Sequence, residues 1–349
     1  MDQSNQKHQR RVRYSGTHPK KFEEKYKELQ PDKYADTIAK VIQKGNTPAG
    51  MHRPICVNEI MEILQIHPGQ KGLDVTLGYG GHTTEILKAL DHQGHLYAID
   101  ADPLELPRTE ERLRKAGYGP DILTIKQMNF SEIDQLLPQS GTFDFVLADL
   151  GVSSMQIDNP ERGFSFKIDG PLDLRMDPSK GIPASYRLRQ LNFDQLTGML
   201  KENADEPHAE WIAQAIISHY RQGKEINTTI DLQKIIKNAL SSLPIAIRED
   251  ETKKACQRTF QAIRIDVNRE LEALYTFLEK LPTVLAPQGR IAILSFHSGE
   301  DRLVKKAFQY FYRAGNYKEI ALEFIRPSME EQNANPRARS AKLRWAIKA

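Results

Sequence analysis

Between Gly72 and Asp149 short runs of apolar and β-branched residues alternate with amphipathic stretches, a pattern that predicts strands linked by helices. GLDVTL (72–77), HLYAID (95–100), ILTIKQ (122–127) and FDFVLAD (143–149) read as strands, with helices near 83–90, 104–116 and 131–137 between them. Such alternation implies βαβ units around a mainly parallel sheet. From 155 to 252 the pattern breaks: Gly- and Pro-rich turns lead to helical segments such as AEWIAQAIISHYRQG and LQKIIKNALSSL, with no buried strand. A long helix is then expected over 257–281, where Ile263, Val267, Leu271, Leu274, Leu278 and Leu281 recur at three- and four-residue spacing. Gly289 opens RIAILSFHS, a strand apolar enough to be buried on both faces. Glu300 and Asp301 follow where acids suit a first helical turn, and LRWAIK closes the chain. The predicted architecture is α/β, a doubly wound sheet with an inserted, mainly helical subdomain. Its expected divisions are a basic extension (1–50), a first part of the sheet domain (51–154), the insertion (155–252) and a second part (253–349).

Composition narrows the setting. At 349 residues, 39% hydrophobic and 27% charged, the chain suits a folded protein with one large core and an insertion. No run approaches the roughly 20 apolar residues of a membrane span. The polar, basic start MDQSNQKHQRRVRYSG lacks the apolar stretch of a secretory signal. Cys56 and Cys256 are too far apart for a disulfide framework or metal-ligand spacing, so no metal and a reducing cytoplasm are expected. The net charge of +3 is uneven. Residues 1–50 carry 11 Lys/Arg against 6 Asp/Glu, and 326–349 carry six basic and two acidic side chains. Basic ends on a near-neutral body point to a polyanion such as RNA, or else to solvated tails. The sequence leaves monomer and homodimer both open.

In a doubly wound sheet the ligand lies at the C-terminal ends of the strands. The first strand runs into Gly78, Gly80 and Gly81, which let the backbone turn tightly and approach a ligand. The second ends at Asp100, 22 residues after Gly78, where a carboxylate can accept both hydroxyls of a ribose. The fourth ends at Asp149. A dinucleotide fingerprint would need a third glycine, and GYG is followed here by GHTTEI, which argues against a dehydrogenase. A glycine turn followed by acids at strands two and four is the layout of class I (Rossmann-like) methyltransferases.

Five long motifs deepen that likeness: DVTLGYGGHTTEIL, DLGVSSMQIDNPERGFSFKIDGPLDLRMD, FQAIRIDVNREL, ILSFHSGEDRLVK and NPRARSAKLR. On them, over about residues 51–347, the chain resembles the ribosomal RNA small subunit methyltransferase H family, also called MraW. The resemblance implies S-adenosylmethionine as cofactor and N4 of cytidine 1402 in 16S rRNA of the small ribosomal subunit as target. It implies cofactor contacts from Gly80, Gly81, His82, Asp100, Phe130, Asp149 and Gln156, of which Gln156 comes from the family alone. The chain departs from the family in its 50-residue extension, in KKACQRT before FQAIRI, and in ADEP near Asp205. These bear on substrate choice, so a paralogue with another RNA target and a non-catalytic RNA-binding assembly factor are the competing readings.

A cytosine amine shares its lone pair with the ring and needs an acceptor to attack well. The (N/D/S)PP(Y/F/W) motif of many amino methyltransferases is missing after the fourth strand, where Asp149 is followed by LGVSS. Candidate acceptors are Asp149, Ser153 and Ser154, with Asp173 and Asn268 behind them; for Asp149 the alternative is a role confined to the cofactor. Arg162, Phe164 and Phe166 could meet a phosphate and a splayed base, or pack a core. Arg175 could pair with Asp173 or Asp177. Arg264 and Asn268 share a helix face and could line the pocket for substrate or cap an insertion loop. His297 reads as structural, and Glu300 with Asp301 as helix-start acids.

Overall fold

The computed structural model describes residues 54–349, and in it the alternating pattern closes into one seven-stranded sheet. The strands are β1 (Lys71–Asp74), β2 (His95–Asp100), β3 (Leu123–Gln127), β4 (Phe143–Asp149), β5 (Leu285–Ser295), β6 (Tyr317–Ile320) and β7 (Lys342–Lys348). Their order is β3-β2-β1-β4-β5-β7-β6. β1 to β5 are parallel, and β7 runs antiparallel to both neighbours. The order reverses at β1 and β4, which opens a crevice beyond their C-terminal ends.

Three helices follow the pattern in the first half: α1 (Val57–Leu64), α2 (Gly81–Leu90) and α3 (Leu106–Lys115). After β4 the chain leaves the sheet for α4 (Ser154–Asp158), α5 (Ala184–Gln190), α6 (Phe193–Ala204), α7 (Ala209–Arg221), α8 (Thr229–Ala239) and α9 (Ile245–Asn268). It returns through α10 (Glu270–Val284), β5 and α11 (Ser298–Arg313). Successive strand residues point to opposite faces. Phe145, Leu147, Ala292 and Leu294 pack with α1, α2 and α3, while Val146, Ala148, Ile291 and Ile293 pack with α10 and α11. Both faces are covered, which is why these strands read as continuous apolar runs.

The insertion has a core of its own, built from Leu172, Leu188, Leu200, Ile212, Ile236 and Phe260 among others. It contains no named strand among the described residues; one isolated bridge joins Pro171 and Thr228.

Several expectations are corrected. The helix expected over 257–281 is two helices, because Arg269 takes a left-handed φ of 51° between α9 and α10. Its apolar stripe serves two cores: Ile263 packs in the insertion, whereas Leu274, Leu278 and Leu281 pack on the sheet. No straight helix could face both. For the same reason the boundary expected at 252 falls inside α9, whose buried residues to Ile263 belong with the insertion. The helix near 131–137 is a 3-10 run over Phe130–Leu136. β6 escapes sequence reading because it is a four-residue edge strand with two exposed charged residues, Lys318 and Glu319. The basic extension, residues 1–50, lies outside the described residues. Among these, no helix is long and apolar enough to cross a membrane.

Candidate active site

The crevice is floored by the turn after β1. Gly78 and Gly80 have φ of 48° and 77°, conformations that side chains rarely adopt, and a Cβ on Gly81 would lie 2.5 Å from Pro54. Asp74 is buried beneath the turn, where its carboxylate accepts from the Thr83 hydroxyl at 2.7 Å and the Thr76 amide at 3.0 Å. At the end of β2, Asp100 accepts from the Gly78 amide at 2.7 Å through one oxygen and from the Asp102 amide at 2.9 Å through the other. Burial outweighs these two amides and pushes the Asp100 pKa up to about 6. The backbone thus ties the glycine turn to the acid, and the two form one unit.

At the end of β4, Asp149 is less than a third exposed. One oxygen, Oδ2, lies 3.4 Å from Nδ1 of His82, and the other, Oδ1, is buried with no hydrogen-bond partner. His82, on the first turn of α2, places Nε2 2.9 Å from the Ile55 carbonyl. A carbonyl can only accept, so Nε2 carries a proton, and Nδ1 then faces a carboxylate. Burial opposes a charge on the ring, but Asp149, the Ile55 carbonyl and Asp74 together outweigh it, and the His82 pKa lies above the ordinary value. Lone Oδ1 is a buried acceptor still lacking a donor, a costly state that an arriving N–H would relieve.

A third group was not singled out by sequence. Asp102, fully buried, accepts from Nε2 of Gln156 at 2.6 Å and from Nη1 of Arg162 at 2.7 Å. It joins the β2 loop to the start of the insertion. The only signal for it in sequence was a second acid two positions after Asp100. Gln156 also receives the Ser153 amide, while the Ser153 hydroxyl accepts from the Gln156 amide, a capping box that fixes the first turn of α4. Ser153 therefore spends its oxygen on the helix end. Ser154 is the first residue of that helix.

The structure separates the remaining candidates. Arg162, expected to meet a phosphate, is 4% exposed and also donates to the carbonyls of Arg175 and Met176. Phe164 is buried in the insertion core, and Phe166 packs half-buried against Phe260 at 5.8 Å. Burial corrects the reading of Arg162 and Phe164 as substrate contacts, since neither offers a face to a nucleic acid. Arg264 is paired with Glu270 at 2.8 Å, bracing the α9–α10 junction rather than opening toward a ligand. Asn268 receives the Met176 amide at 2.7 Å and donates to the Leu174 carbonyl at 2.7 Å, so it holds the insertion loop, the second of its expected roles. Arg175 pairs with Asp173 at 2.7 Å. His297 caps α11 by accepting from the Glu300 amide, and Glu300 and Asp301 occupy its first turn, as read. Phe130 begins the run after β3, with its edge on Phe277 at 5.5 Å. Near Asp149, the Cys56 thiol, Glu59 and Glu331 place their polar atoms within 4.8 Å of one another. Burial, with the neighbouring acids Glu59, Glu331 and Asp149, raises the thiol's pKa strongly, so with no cation beside it the sulfur is protonated.

A family model described as the MraW methylase family matches residues 49–349. A relative from Alkaliphilus metalliredigens, named ribosomal RNA small subunit methyltransferase H 2, is 69% identical over the full length of both chains. One from Agathobacter rectalis, named ribosomal RNA small subunit methyltransferase H 1, is 59% identical and covers 98% of each. One from Halothermothrix orenii, named ribosomal RNA small subunit methyltransferase H, is 39% identical over 84% of this chain and 97% of its own length.

Proposed function

The chain belongs to the MraW methylase family and is an S-adenosylmethionine-dependent methyltransferase, and from that premise we propose that it methylates N4 of the cytidine at position 1402 in 16S rRNA of the small ribosomal subunit, in the cytoplasm. The residues at the strand ends fit the cofactor. Gly80 shapes the turn after β1 with its positive φ, Asp100 offers carboxylate oxygens to a ribose at the end of β2, and Phe130 and Gln156 stand shortly after β3 and β4. When bound, S-adenosylmethionine supplies a methyl carbon activated by a positively charged sulfur.

The chain's own residues have two further tasks, orienting the cytosine amine and accepting a hydrogen bond from it. Asp149 is the acceptor in this reading. His82 holds Oδ2 and fixes the carboxylate's orientation, leaving Oδ1 in need of a donor. That unsatisfied oxygen at the end of β4 is the observation that carries the proposal. Ser153 is the weaker candidate because its hydroxyl caps α4.

Incubating the full chain with S-adenosylmethionine and small-subunit particles, then digesting the RNA for mass spectrometry, tests the target. N4-methylcytidine at position 1402 is expected; methylation only elsewhere would reject this target. Asp149→Asn should lower kcat by about 100-fold or more, and an unchanged kcat would remove Asp149 as acceptor. One observation favours a second reading, a different RNA nucleotide: relatives at 55–69% identity carry the numerals 1 or 2 in their names, whereas those near 39% carry none. The same digest distinguishes the two.

A further inference from the structure

α11 carries an unusual outer surface. Its two acids are turned inward, Glu300 to His297 at 3.1 Å and Asp301 to Arg344 at 2.6 Å. After Ser298, every exposed residue of the helix is then a cation or a tyrosine: Arg302, Lys305, Lys306, Tyr310, Tyr312 and Arg313. None of the four cations is in an ion pair among the described residues. Arg302, Lys306, Tyr310 and Arg313 follow at spacings of four, four and three, which sets them along one side of the helix. From Arg302 to Arg313 the helix rises about 16 Å.

Beside this face lies a groove of about 400 Å³ between α10 and α11, lined by Leu271, Tyr275, Thr276, Gly299, Arg302 and Leu303. Glu272 also lines it, an acid set against the cations of α11. Tyr275 is 55% exposed and Tyr310 67% exposed. The Glu279 carboxylate beside the Tyr275 hydroxyl raises its pKa, with a smaller contribution from Tyr310. Gly299 lies on the first turn of α11, which follows the C-terminal end of β5, and there Leu294 pairs with Asp149 of β4.

We propose that this groove and the outer face of α11 form a docking track for the single-stranded RNA flanking the target nucleotide, with phosphates against Arg302, Lys306 and Arg313 and bases stacked on Tyr275 and Tyr310. Unpaired cations interleaved with exposed aromatic rings are what a single strand requires: charge along its backbone and flat faces for its bases. A protein partner would be expected to bury these rings without needing a row of cations that are in no ion pair. The inference rests on the RNA substrate proposed above and adds the route by which that RNA approaches.

The test uses the full chain with a labelled single-stranded RNA oligonucleotide across a salt series, and small-subunit particles for methyl transfer. In the triple variant R302Q/K306Q/R313Q the slope of log K against log salt should fall by about 2. KM for the particles should rise at least about tenfold, while kcat at saturating RNA and cofactor affinity stay the same. Tyr310→Ala should weaken oligonucleotide binding about fivefold or more, with the salt slope unchanged. An unaltered slope and KM in the triple variant would overturn the track. So would sedimentation showing that Tyr275→Ala and Tyr310→Ala convert a dimer to a monomer without loss of RNA affinity, for the face would then be a contact between copies. If the parent protein methylates no 16S rRNA, the proposed function fails, and the oligonucleotide arm still decides the track.

Discussion

Asp100 shows how one residue can be read correctly for position and incompletely for chemistry. Its place at the end of a strand, 22 residues after Gly78, was legible because strand periodicity and glycine spacing are local properties. Its pKa of about 6 was not, because that follows from burial under residues remote in sequence. The sign has two consequences. The folded-state value lies above the ordinary 3.8, so this carboxyl favours folding most at low pH, and its contribution falls as pH rises through about 6. Cofactor binding needs the ionised form to accept ribose hydroxyls. S-adenosylmethionine affinity measured by calorimetry should therefore be roughly tenfold weaker at pH 5 than at pH 7.5, and Asp100→Asn should bind weakly with most of that dependence gone. A parent protein whose affinity is flat over this range would contradict the assignment.

Between elements, close approach sets the rules. A Cβ on Gly72 of β1 would fall 2.0 Å from the Phe145 ring of β4, so the two strands flanking the crevice pack with an aromatic filling the place of a side chain. Gly72→Ala should destabilise the fold by about 1–3 kcal/mol in urea unfolding. A change below half of the lower figure would mean that the ring moves aside easily. The break at Arg269 belongs to this scale too. Helical spacing runs unbroken from Ile263 to Leu281, so nothing local announces a turn; two cores on different sides impose it. Arg162 was misread for a related reason. An arginine near phenylalanines suggests nucleic acid until its partner, Asp102, is seen 60 positions earlier in the chain.

Across the molecule, the sheet buries an apolar cluster on each face and the insertion buries its own, and polar contacts join sheet and insertion near the crevice. Asp102 with Arg162 is such a joint, and Asn268, at the end of α9, holds the backbone of Leu174 and Met176 in the insertion loop. Asn268→Ala leaves the part-buried Met176 amide and Leu174 carbonyl short of a partner. It should cost about 1–3 kcal/mol of stability and lower kcat/KM for small-subunit particles by more than it changes cofactor affinity. Equal losses in both would show that the joint supports the whole crevice rather than the placement of the insertion.

The α/β class, the interruption after β4, the glycine turn and the acids at Asp100 and Asp149 were all legible in the chain, because each follows from local periodicity or from which residues tolerate a tight turn. Tertiary packing alone decided the rest. It paired His82 with Asp149, buried Asp102 against Arg162, bent one apolar stripe into two helices, and turned the acids of α11 inward so that its outer face is cationic. Charge and burial depend on neighbours brought together from distant positions, and no window of sequence contains those neighbours.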